Sequence, residues 1–496
     1  MTIMVKNFIA GIWSEAHLGT KFASTNPADV RETVAEAPLS GEEEVDRAVA
    51  SARAAFPAWS RLPAPRRGEI LFRAAELLRH NKEKLAELVT REMGKVIAEG
   101  RGDVQEAIDI FFYMAGEGRR LQGETVPSEL ADKDCKSVRE PLGVAALITP
   151  WNFPIAIPSW KMSAALICGN TVILKPSSET PACAAALVSI LAQAGMPDGA
   201  VNLITGPGES AGEYLAGHRG VSAVSFTGSC AAGERLERRL AALHRPLALE
   251  MGGKNAIVVM EDADLNLALE GTLWGGFGTS GQRCTAASRI IVHEKVYDRF
   301  VRELAERAAQ LKLGRGLDPA TGVGPLVNEA QCKKVLEYIR IGRDEGARLL
   351  TGGPRVDGGD LGHGFYVAPT VFAEVRPEMR IAAEEIFGPV VSVIRVASFE
   401  EAANLVNDSP FGLSSSIYSR DVNLTARAER EFKTGIVYVN ASTIGAEVQL
   451  PFGGWRHSGS GHPEAGGRGG AVDFFTRTKV IYRDFSAKLQ KAQIDG

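Results

Sequence analysis

Cys284 stands in a stretch of small and polar residues that suits a reactive thiol. The stretch reads Phe277-Gly-Thr-Ser-Gly-Gln-Arg-Cys284, and its glycines let a ligand or another chain segment approach closely. Arg283, and a helix that we predict to begin at Thr285, both favour the thiolate over the thiol. The ordinary alternative for a free cysteine is a buried and inert thiol. That alternative fits the remaining five cysteines, which are Cys135, Cys168, Cys183, Cys230 and Cys332.

Glu250 and Asn152 each come just after a predicted apolar strand. Glu250 precedes Met251-Gly-Gly-Lys-Asn255, where partial desolvation raises the pKa of a carboxyl group toward that of a general base. Asn152 lies in Thr149-Pro-Trp-Asn-Phe-Pro154, and its side-chain amide can donate a hydrogen bond to an oxyanion. The alternatives are a surface glutamate at a strand end and a turn asparagine that caps its own backbone.

Three segments have features of phosphate-binding loops. Gly206-Pro-Gly-Glu-Ser-Ala-Gly212 spaces its glycines as GxGxxxG, which differs from the dinucleotide fingerprint. Phe226-Thr-Gly-Ser229 joins a strand to a helix, so its backbone amides and hydroxyl can face a pyrophosphate, although Ser229 also suits an ordinary N-cap. Lys175 ends another strand, where its ammonium group can reach a ribose or a phosphate or lie in solvent.

The elements that position these residues alternate between short apolar strands and helices. Strands are predicted over 143–148, 171–175, 201–204 and 222–226, and helices over 160–168, 182–194 and 231–243. This alternation predicts βαβ units and a parallel sheet, which binds ligands at the carboxyl ends of its strands. The loops that begin at Thr149, Lys175, Thr205 and Thr227 therefore surround one crevice. A second αβ series follows Glu250, and a last strand is predicted over 478–483.

Length and composition exclude several classes of protein. The 496 residues amount to about three domains at roughly 150 residues each. The 56 Lys and Arg and 60 Asp and Glu give a net charge of −4, so the basic excess of a nucleic-acid binder is absent. No apolar stretch reaches the ~18 residues that a membrane span needs, and the N-terminus lacks the pattern of a signal peptide. We therefore expect no nucleic-acid or membrane partner.

The cysteines and histidines indicate neither a metal site nor a disulfide framework. The six cysteines include no pair separated by two residues, and the eight histidines are scattered. This usage is typical of a reducing compartment. We expect a cytoplasmic protein without a metal ion.

Seven motifs in one order together resemble the NAD(P)-dependent aldehyde dehydrogenase superfamily, over about residues 8–485. The motifs are Pro150-Trp-Asn-Phe-Pro154, Lys175-Pro-Ser177, Phe226-Thr-Gly-Ser229, Leu249-Glu-Met-Gly-Gly-Lys-Asn255, Gly281-Gln-Arg-Cys284, Glu384-Glu-Ile-Phe-Gly-Pro389 and Pro451-Phe-Gly-Gly454. The chain is most similar to the semialdehyde dehydrogenases of this superfamily.

The resemblance implies an α/β fold with three parts, which are two parallel-sheet αβα domains and a small β oligomerisation arm. The parts are a Rossmann-like NAD(P)-binding domain over 1–121 and 143–251, a catalytic domain over 252–455, and the arm over 122–142 and 470–496. Homodimers and homotetramers are usual in the family. An arm strand that pairs with a neighbouring subunit would also cover its own exposed edge.

The resemblance also implies a mechanism that converts an aldehyde to a carboxylic acid. The Cys284 thiolate attacks the aldehyde carbonyl, and the Asn152 side chain and the Cys284 N–H hold the oxyanion. The thiohemiacetal gives a hydride to the nicotinamide and becomes a thioester. Glu250 then activates the water that hydrolyses this thioester.

By the same resemblance, other positions bind the cofactor and the substrate. The cofactor positions are Ile148, Thr149, Pro150, Trp151, Lys175, Ser177, Ser178, Gly208, Phe226, Gly228, Ser229, Glu385 and Phe387. The substrate positions are Gly445, Ala446 and Phe452. Many NAD-preferring members have a glutamate where this chain has Ser178, and loss of that carboxylate removes a repulsion toward a 2′-phosphate. We therefore predict that NADP is accepted as well as NAD.

The Gly445-Ala446 pair is similar to members that hold the far carboxylate of a semialdehyde with backbone amides. Trp151-Asn-Phe-Pro-Ile-Ala-Ile-Pro158 is similar to members that act on 2-oxoglutarate semialdehyde. Oxidation of unspecific aliphatic or aromatic aldehydes is the alternative. A CoA-acylating enzyme generally lacks the equivalent of Glu250, a binding or lens-type structural protein does not need the catalytic residues, and a zinc or cysteine–histidine hydrolase needs a histidine motif that the chain lacks.

Overall fold

The computed structural model describes residues 1–494. The strands of the N-terminal half are β1 (Ile3–Met4), β2 (Asn7–Ile9), β3 (Ile12–Ser14), β4 (Lys21–Thr25), β5 (Thr33–Pro38), β6 (Thr125–Pro127), β7 (Lys133–Pro141), β8 (Val144–Ile148), β9 (Thr171–Lys175), β10 (Val201–Leu203), β11 (Ala223–Thr227) and β12 (Leu247–Glu250). Those of the C-terminal half are β13 (Asn255–Val259), β14 (Ala287–His293), β15 (Arg348–Thr351), β16 (Thr370–Ala373), β17 (Val390–Val396), β18 (Phe411–Gly412), β19 (Ser414–Tyr418), β20 (Ile436–Val439), β21 (Trp455–Arg456) and β22 (Thr476–Asp484).

Fifteen α-helices connect and cover these strands in the described part of the chain. They are α1 (Glu42–Arg61), α2 (Ala64–His80), α3 (Lys82–Met93), α4 (Ile97–Glu117), α5 (Ala156–Ile167), α6 (Pro181–Gln193), α7 (Glu213–Gly217), α8 (Cys230–Leu240), α9 (Leu265–Phe277), α10 (Glu294–Ala309), α11 (Glu329–Asp344), α12 (Arg380–Ala383), α13 (Phe399–Asn407), α14 (Val422–Glu431) and α15 (Ala471–Phe474). A short π-helical segment, Gly208–Gly212, precedes α7.

Two seven-stranded sheets form the centre of the molecule. The first has the order β12-β11-β8-β9-β10-β2-β3, and the second has the order β15-β16-β17-β14-β13-β19-β20. Strands β8 to β12 run parallel to one another, while β2 and β3 form an antiparallel edge. In the second sheet only the edge strand β15 is antiparallel to its neighbour. These sheets confirm the predicted α/β fold with two parallel-sheet layers.

Both faces of the first sheet are covered, and its strands are accordingly apolar throughout. Leu147 and Leu174 point to one face, where helices α2 to α6 form a large core. Ala146 and Ile173 alternate with them and point to the opposite face, where α1, α7 and α8 pack. This double burial explains why continuous apolar runs in the sequence identify these strands.

Helix bounds differ from the predictions where proline or a change of helix type is involved. α5 begins at Ala156, four residues before the predicted start at 160. Pro158 lies in its first turn, where the missing N–H has no intrahelical partner to lose. α8 ends at Leu240, and a 3-10 turn over Ala241–Leu243 completes the segment predicted as helix.

A separate antiparallel sheet has the order β22-β7-β6. Strand β22 pairs with β7 along its whole length, from Thr476 opposite Pro141 to Asp484 opposite Lys133. Its second edge has no partner strand among residues 1–494. This sheet is formed by the segments predicted as the arm, and the domain limits themselves stay a prediction.

Candidate active site

The candidate site lies at the junction between the first and the second seven-stranded sheet. Residues 251–254 connect β12 to β13, so the carboxyl ends of β8, β11 and β12 face the segment that precedes β14. Cys284 lies in that segment and lines two cavities, of about 360 Å³ and about 170 Å³. Only Cys284 and Ile157 belong to the walls of both cavities. The thiol therefore stands between two compartments, each large enough to receive part of a ligand.

The loop before Cys284 is strained and held from several sides. Thr279 and Ser280 have φ angles of 52° and 56°, in a region of backbone conformation that residues other than glycine rarely adopt. The Thr279 N–H donates to Glu99 Oε1 at 2.6 Å, and the Ser280 hydroxyl donates to the Gly324 carbonyl at 2.7 Å. Such strain persists only where surrounding contacts fix it, and it is common at functional sites.

No helix begins at Thr285, so that prediction is wrong. A turn at Cys284 and Thr285 leads directly into β14. Asn255 Nδ2 donates to the carbonyl groups of Cys284 (2.7 Å) and Ala286 (3.0 Å), which ties the segment to β13 in an extended form. The sequence analysis missed Asn255 as a support of the thiol.

The surroundings of Cys284 favour the thiol over the thiolate, contrary to the prediction. Burial raises the pKa of Cys284 well above its usual range, and the carboxyl groups of Glu464, Glu250 and Glu385 raise it further. The positive charge of Arg283 does not offset these effects. Its Nη2 lies 3.6 Å from Glu99 Oε1, so a nearer carboxylate balances that charge.

Glu250 ends β12 and is buried, with an exposed fraction of 2%. Its Oε2 accepts a hydrogen bond from the Gly454 N–H at 3.3 Å, while its Oε1 has no hydrogen-bond partner among the described residues. Burial, and then the negative charge of Glu464, raise the pKa of Glu250 well above its ordinary value, and Lys161 opposes this shift. This carboxyl group has the environment that was predicted for a general base.

Glu464 and Lys161 form a fully buried ion pair beside Glu250, and the sequence analysis missed it. Lys161 Nζ lies 2.7 Å from Glu464 Oε2 and 2.7 Å from the Ser225 hydroxyl. Thr227 Oγ1 donates to the same Glu464 oxygen at 2.5 Å. The one feature of the sequence that could have indicated this ion pair is the single lysine inside the apolar α5. Glu464 lies in the glycine-rich C-terminal region, where no sequence pattern indicated a buried carboxylate.

Asn152 is buried in the turn between β8 and α5. Its Nδ2 donates to the Gln282 carbonyl at 3.1 Å, so the amide lies beside the loop that carries Cys284. Asp103 stabilises the end of this turn, because its Oδ1 accepts hydrogen bonds from the N–H groups of Ile155 (3.3 Å) and Ala156 (2.7 Å). Asp103 is paired in turn with the buried Lys95 at 3.0 Å.

The smaller cavity brings together several predicted cofactor positions. They are Pro150, Trp151, Gly228, Ser229, Glu385 and Phe387, beside Asn152 and Cys284. Glu385 Oε1 accepts from the Gly253 N–H at 3.0 Å, and a Cβ atom at Gly252 would lie only 2.1 Å from that oxygen, so a larger residue at 252 would displace the Glu385 carboxylate. Phe387 has a φ of 60°, its ring meets Trp151 edge to face at 5.6 Å, and its carbonyl accepts from Gln331 Nε2 at 2.7 Å.

The other predicted cofactor positions lie outside the wall of this cavity. They are Ile148, Thr149, Lys175, Ser177, Ser178, Gly208 and Phe226. Phe226 packs in the core beneath Gly228, and Gly208 opens the π-helical segment. Lys175 is buried, and its ammonium group has no ion pair or hydrogen bond within residues 1–494; burial lowers its pKa to about 8. A buried cation without a partner suits a polar or anionic ligand.

The larger cavity contains all three predicted substrate positions, Gly445, Ala446 and Phe452. It also contains Arg283 and a group of carboxylates from α4 that the analysis missed as site residues, namely Glu99, Asp103 and Glu106. The Arg283 guanidinium lies over the rings of Phe153 (5.2 Å) and Trp274 (4.9 Å). Within residues 1–494, no three His, Cys, Asp or Glu side chains are grouped so that they could hold a metal ion. None of the described helices is both long and apolar enough to traverse a bilayer.

Comparisons with known proteins agree with this geometry. The chain is 42% identical to the alpha-ketoglutaric semialdehyde dehydrogenase of Bacillus subtilis, over 96% of this chain and 97% of that protein. It is 43% identical to the alpha-ketoglutarate semialdehyde dehydrogenase of Haloferax volcanii, over 98% and 100%. A Staphylococcus aureus betaine aldehyde dehydrogenase variant, solved in complex with NAD+, superposes with a TM-score of 0.95 at 34% identity, over 98% and 97%. The model of the aldehyde dehydrogenase family matches residues 13–481. The chain belongs to the aldehyde dehydrogenase family.

Proposed function

We propose that this NAD(P)-dependent aldehyde dehydrogenase oxidises 2-oxoglutarate semialdehyde to 2-oxoglutarate. The observation that carries the proposal is the state of Arg283 in the larger cavity. Its Nε donates to the Thr279 hydroxyl at 2.8 Å and its Nη2 lies 3.6 Å from Glu99 Oε1, but neither Nη1 nor Nη2 makes a hydrogen bond to any described residue. A planar guanidinium whose two Nη atoms still have hydrogen-bonding capacity is suited to bidentate binding of a carboxylate.

Relatives with the corresponding names support this substrate. Three of them are named for the same compound, as alpha-ketoglutarate (or -ketoglutaric) semialdehyde dehydrogenase or 2,5-dioxopentanoate dehydrogenase, at 39–43% identity. Gly445 and Ala446 line the same cavity as Arg283, so their backbone amides are available to the tail of the substrate as well. A substrate with a carboxylate at one end therefore fits the cavity with its aldehyde toward Cys284.

The catalytic roles follow from the positions of three side chains. Cys284 Sγ adds to the aldehyde carbon, and the resulting alkoxide is stabilised by the Asn152 amide and the Cys284 N–H. Glu250 accepts a proton from the water that attacks the acyl–sulfur bond, so that the acid is released and the thiolate leaves. Burial favours the Cys284 thiol, so its proton must pass to a base when Sγ adds to the aldehyde, and we assign this role to ionised Glu250. Lys161 lowers the pKa of Glu250 and so favours its ionised form, which gives Lys161 an electrostatic role beside Glu464.

The dinucleotide fits the crevice around the smaller cavity. By the family resemblance we assign Lys175 and Ser177 to the adenosine ribose, Ser229 at the N-terminus of α8 to the pyrophosphate, and Glu385 to the nicotinamide ribose. The side chain of Lys175 is largely buried and its ammonium group has no partner within residues 1–494, so a bound cofactor would supply one. Bound there, the cofactor supplies the oxidant, because its nicotinamide takes up a hydride.

We propose further that NADP is accepted. The Ser178 hydroxyl donates to the Gly206 carbonyl at 3.1 Å, and the Glu179 carboxylate accepts from Asn328 Nδ2 at 2.8 Å. The carboxylate of Glu179 is thus hydrogen-bonded to Asn328, the N-cap residue of α11. This supports a ribose site in which no carboxylate repels a 2′-phosphate. We expect kcat/KM values for NAD and NADP within a factor of about 10 and a Ser178→Glu variant that prefers NAD. A wild-type preference for NAD of about a hundredfold contradicts this proposal.

The substrate proposal is tested by kcat/KM for 2-oxoglutarate semialdehyde and for pentanal, a neutral aldehyde with the same number of carbons. We expect the semialdehyde to be preferred about 10- to 150-fold, since a charge-assisted bidentate contact contributes roughly 1.5–3 kcal/mol. Arg283→Met should remove most of this preference and leave pentanal within a factor of about three. The matched control is Arg219→Met, an exposed arginine. Equal use of both aldehydes by the wild type contradicts the proposal.

We also propose a cytoplasmic homodimer or homotetramer. The six free thiols, of which Cys230 and Cys284 are partly exposed, support a reducing compartment. The open edge of β22 carries Val480 and Tyr482, with exposed fractions of 56% and 68%, which supports pairing with a second subunit.

A further inference from the structure

Glu106 is a carboxyl group in the substrate cavity that the proposed reaction does not use. It lies on α4 and lines the cavity of about 360 Å³ together with Arg283 and Cys284. No hydrogen bond or ion pair joins its side chain to any residue from 1 to 494, in contrast to Asp103 one turn earlier, which is paired with Lys95. Its oxygens are therefore free to meet a ligand in the cavity.

The charges around Glu106 are mixed and come from several elements. Asp103 and Asp109 lie on its own helix, Lys95 precedes that helix, and Arg283 faces it from the loop before β14. Tyr438 of β20 also faces it, and Glu99 and Glu464 share the cavity wall. Burial, together with Asp103 and Asp109, outweighs Arg283 and Lys95 and raises the pKa of Glu106 to about 7. Near neutral pH the residue thus exists to a large extent as a carboxylic acid, which can donate a hydrogen bond.

We propose that Glu106 selects for an oxygen atom next to the tail carboxylate of the substrate, by donating its carboxyl proton to that oxygen. This inference rests on the proposed function, since Arg283 must hold the carboxylate itself. A 2-oxo acid presents two carboxylate oxygens and one carbonyl oxygen on adjacent carbons, and all three accept hydrogen bonds. The Nη groups of Arg283, which make no hydrogen bond to a described residue, bind the carboxylate, and protonated Glu106 donates to the 2-oxo oxygen.

The chemistry of the cavity favours this role over a simple charge effect. An ionised Glu106 would repel the carboxylate that Arg283 binds, so an anionic substrate and an ionised Glu106 disfavour each other. A protonated Glu106 removes the repulsion and adds a donor. A substrate without the 2-oxo oxygen offers this half-buried donor no acceptor, and a site that hydrogen-bonds a substrate oxygen discriminates against an analogue that lacks it.

The test compares 2-oxoglutarate semialdehyde with glutarate semialdehyde, which has the same length and carboxylate but no 2-oxo group. We expect the wild type to prefer the 2-oxo compound at least tenfold in kcat/KM at pH 6.5. Glu106→Leu should reduce this ratio about tenfold, while Glu106→Gln, which keeps a donor, should change it by less than threefold. Glu87→Leu, at an exposed glutamate on the neighbouring α3, is the matched control and should leave the ratio unchanged.

The pH dependence supplies a second readout. Because the carboxyl donor is lost as pH rises through its pKa, the wild-type ratio should fall between pH 6 and pH 8.5, and the Glu106→Gln ratio should stay constant. If Glu106→Leu leaves the ratio of the two kcat/KM values unchanged, the inference is overturned. The inference is also overturned if Glu106→Leu loses activity only with the cationic substrate betaine aldehyde, because Glu106 would then bind a cation as a carboxylate. In either case, if the enzyme still prefers 2-oxoglutarate semialdehyde and glutarate semialdehyde over pentanal, the proposed function is still supported. Equal kcat/KM values for all three aldehydes would contradict the proposed function itself.

Discussion

At the scale of single residues, the site depends on two carboxyl groups whose charges interact. Glu250 and Glu464 are both buried, and Lys161 compensates only one negative charge between them. The raised pKa of Glu250 follows from this imbalance and from burial. Since the proposed general base must be ionised to accept a proton, we expect hydrolysis of the acyl–enzyme to be fully active above the pKa of Glu250 and to be lost as pH falls through it.

The substitution Glu464→Gln should move the acidic limb of the pH–rate profile to lower pH. It removes a neighbouring negative charge and leaves Lys161 without its partner, and both changes lower the pKa of Glu250. The measurement is kcat against pH for the wild type and the variant. Glu250→Gln is the control and should lose at least about a hundredfold in kcat while it still forms the acyl–enzyme, seen as a burst of reduced cofactor. A limb that moves to higher pH contradicts the electrostatic account.

At the scale of elements, α4 supports the turn that carries Asn152, the residue proposed to stabilise the oxyanion. Asp103 binds two N–H groups of that turn, and Lys95 Nζ lies 3.8 Å from the centre of the Phe153 ring. The pair is completely buried, so removal of one partner leaves an uncompensated charge and destabilises the fold by about 3–5 kcal/mol. A displacement of the turn by about 1 Å is enough to lower catalysis by about a hundredfold.

Asp103→Asn should therefore lower kcat about 10- to 100-fold with little change in KM. The rate at which iodoacetamide alkylates Cys284 should stay within about threefold of the wild type, because that reaction needs no oxyanion site. Both rates are measured at a temperature well below the Tm of the variant, so that only folded enzyme is compared. Full kcat in a variant of lowered Tm would show that the pair stabilises the fold and does not position Asn152.

The sequence predicted the elements better than the contacts between them. Strand β9 occurs with its predicted bounds, because an apolar run buried on both faces has a distinctive composition. The helix at Thr285 was predicted wrongly, since a hydrogen bond from Asn255, 29 residues away, decides the local conformation. Glu106 and Glu464 reach the same cavity from distant parts of the chain, and no spacing in the sequence shows that convergence.

At the scale of the whole molecule, the three-stranded sheet of β6, β7 and β22 presents an exposed apolar surface. Val480, Tyr482 and Phe485 have exposed fractions of 56%, 68% and 59%. An unpartnered strand edge with large apolar side chains promotes association between chains. The domain limits predicted from the family resemblance place this sheet in the oligomerisation arm.

The double variant Val480→Asp, Tyr482→Asp should be a monomer in sedimentation velocity, where we expect the wild type to be a dimer or a tetramer. Two carboxylates on the strand edge repel their counterparts in the neighbouring subunit and oppose burial. Val422→Asp, at an exposed valine on α14, is the control and should leave the wild-type assembly intact. A monomeric wild type would contradict the proposed assembly.

The position of Cys284 between two separate cavities has a consequence for inhibitor design. A reagent that alkylates this sulfur can extend an arm into either compartment, and the two arms meet different surroundings. The smaller compartment contains several of the residues proposed to receive the dinucleotide, a ligand common to the family. The larger one contains Arg283 and Glu106. Covalent inhibitors that discriminate this enzyme from other members should therefore carry an anionic arm directed into the larger compartment.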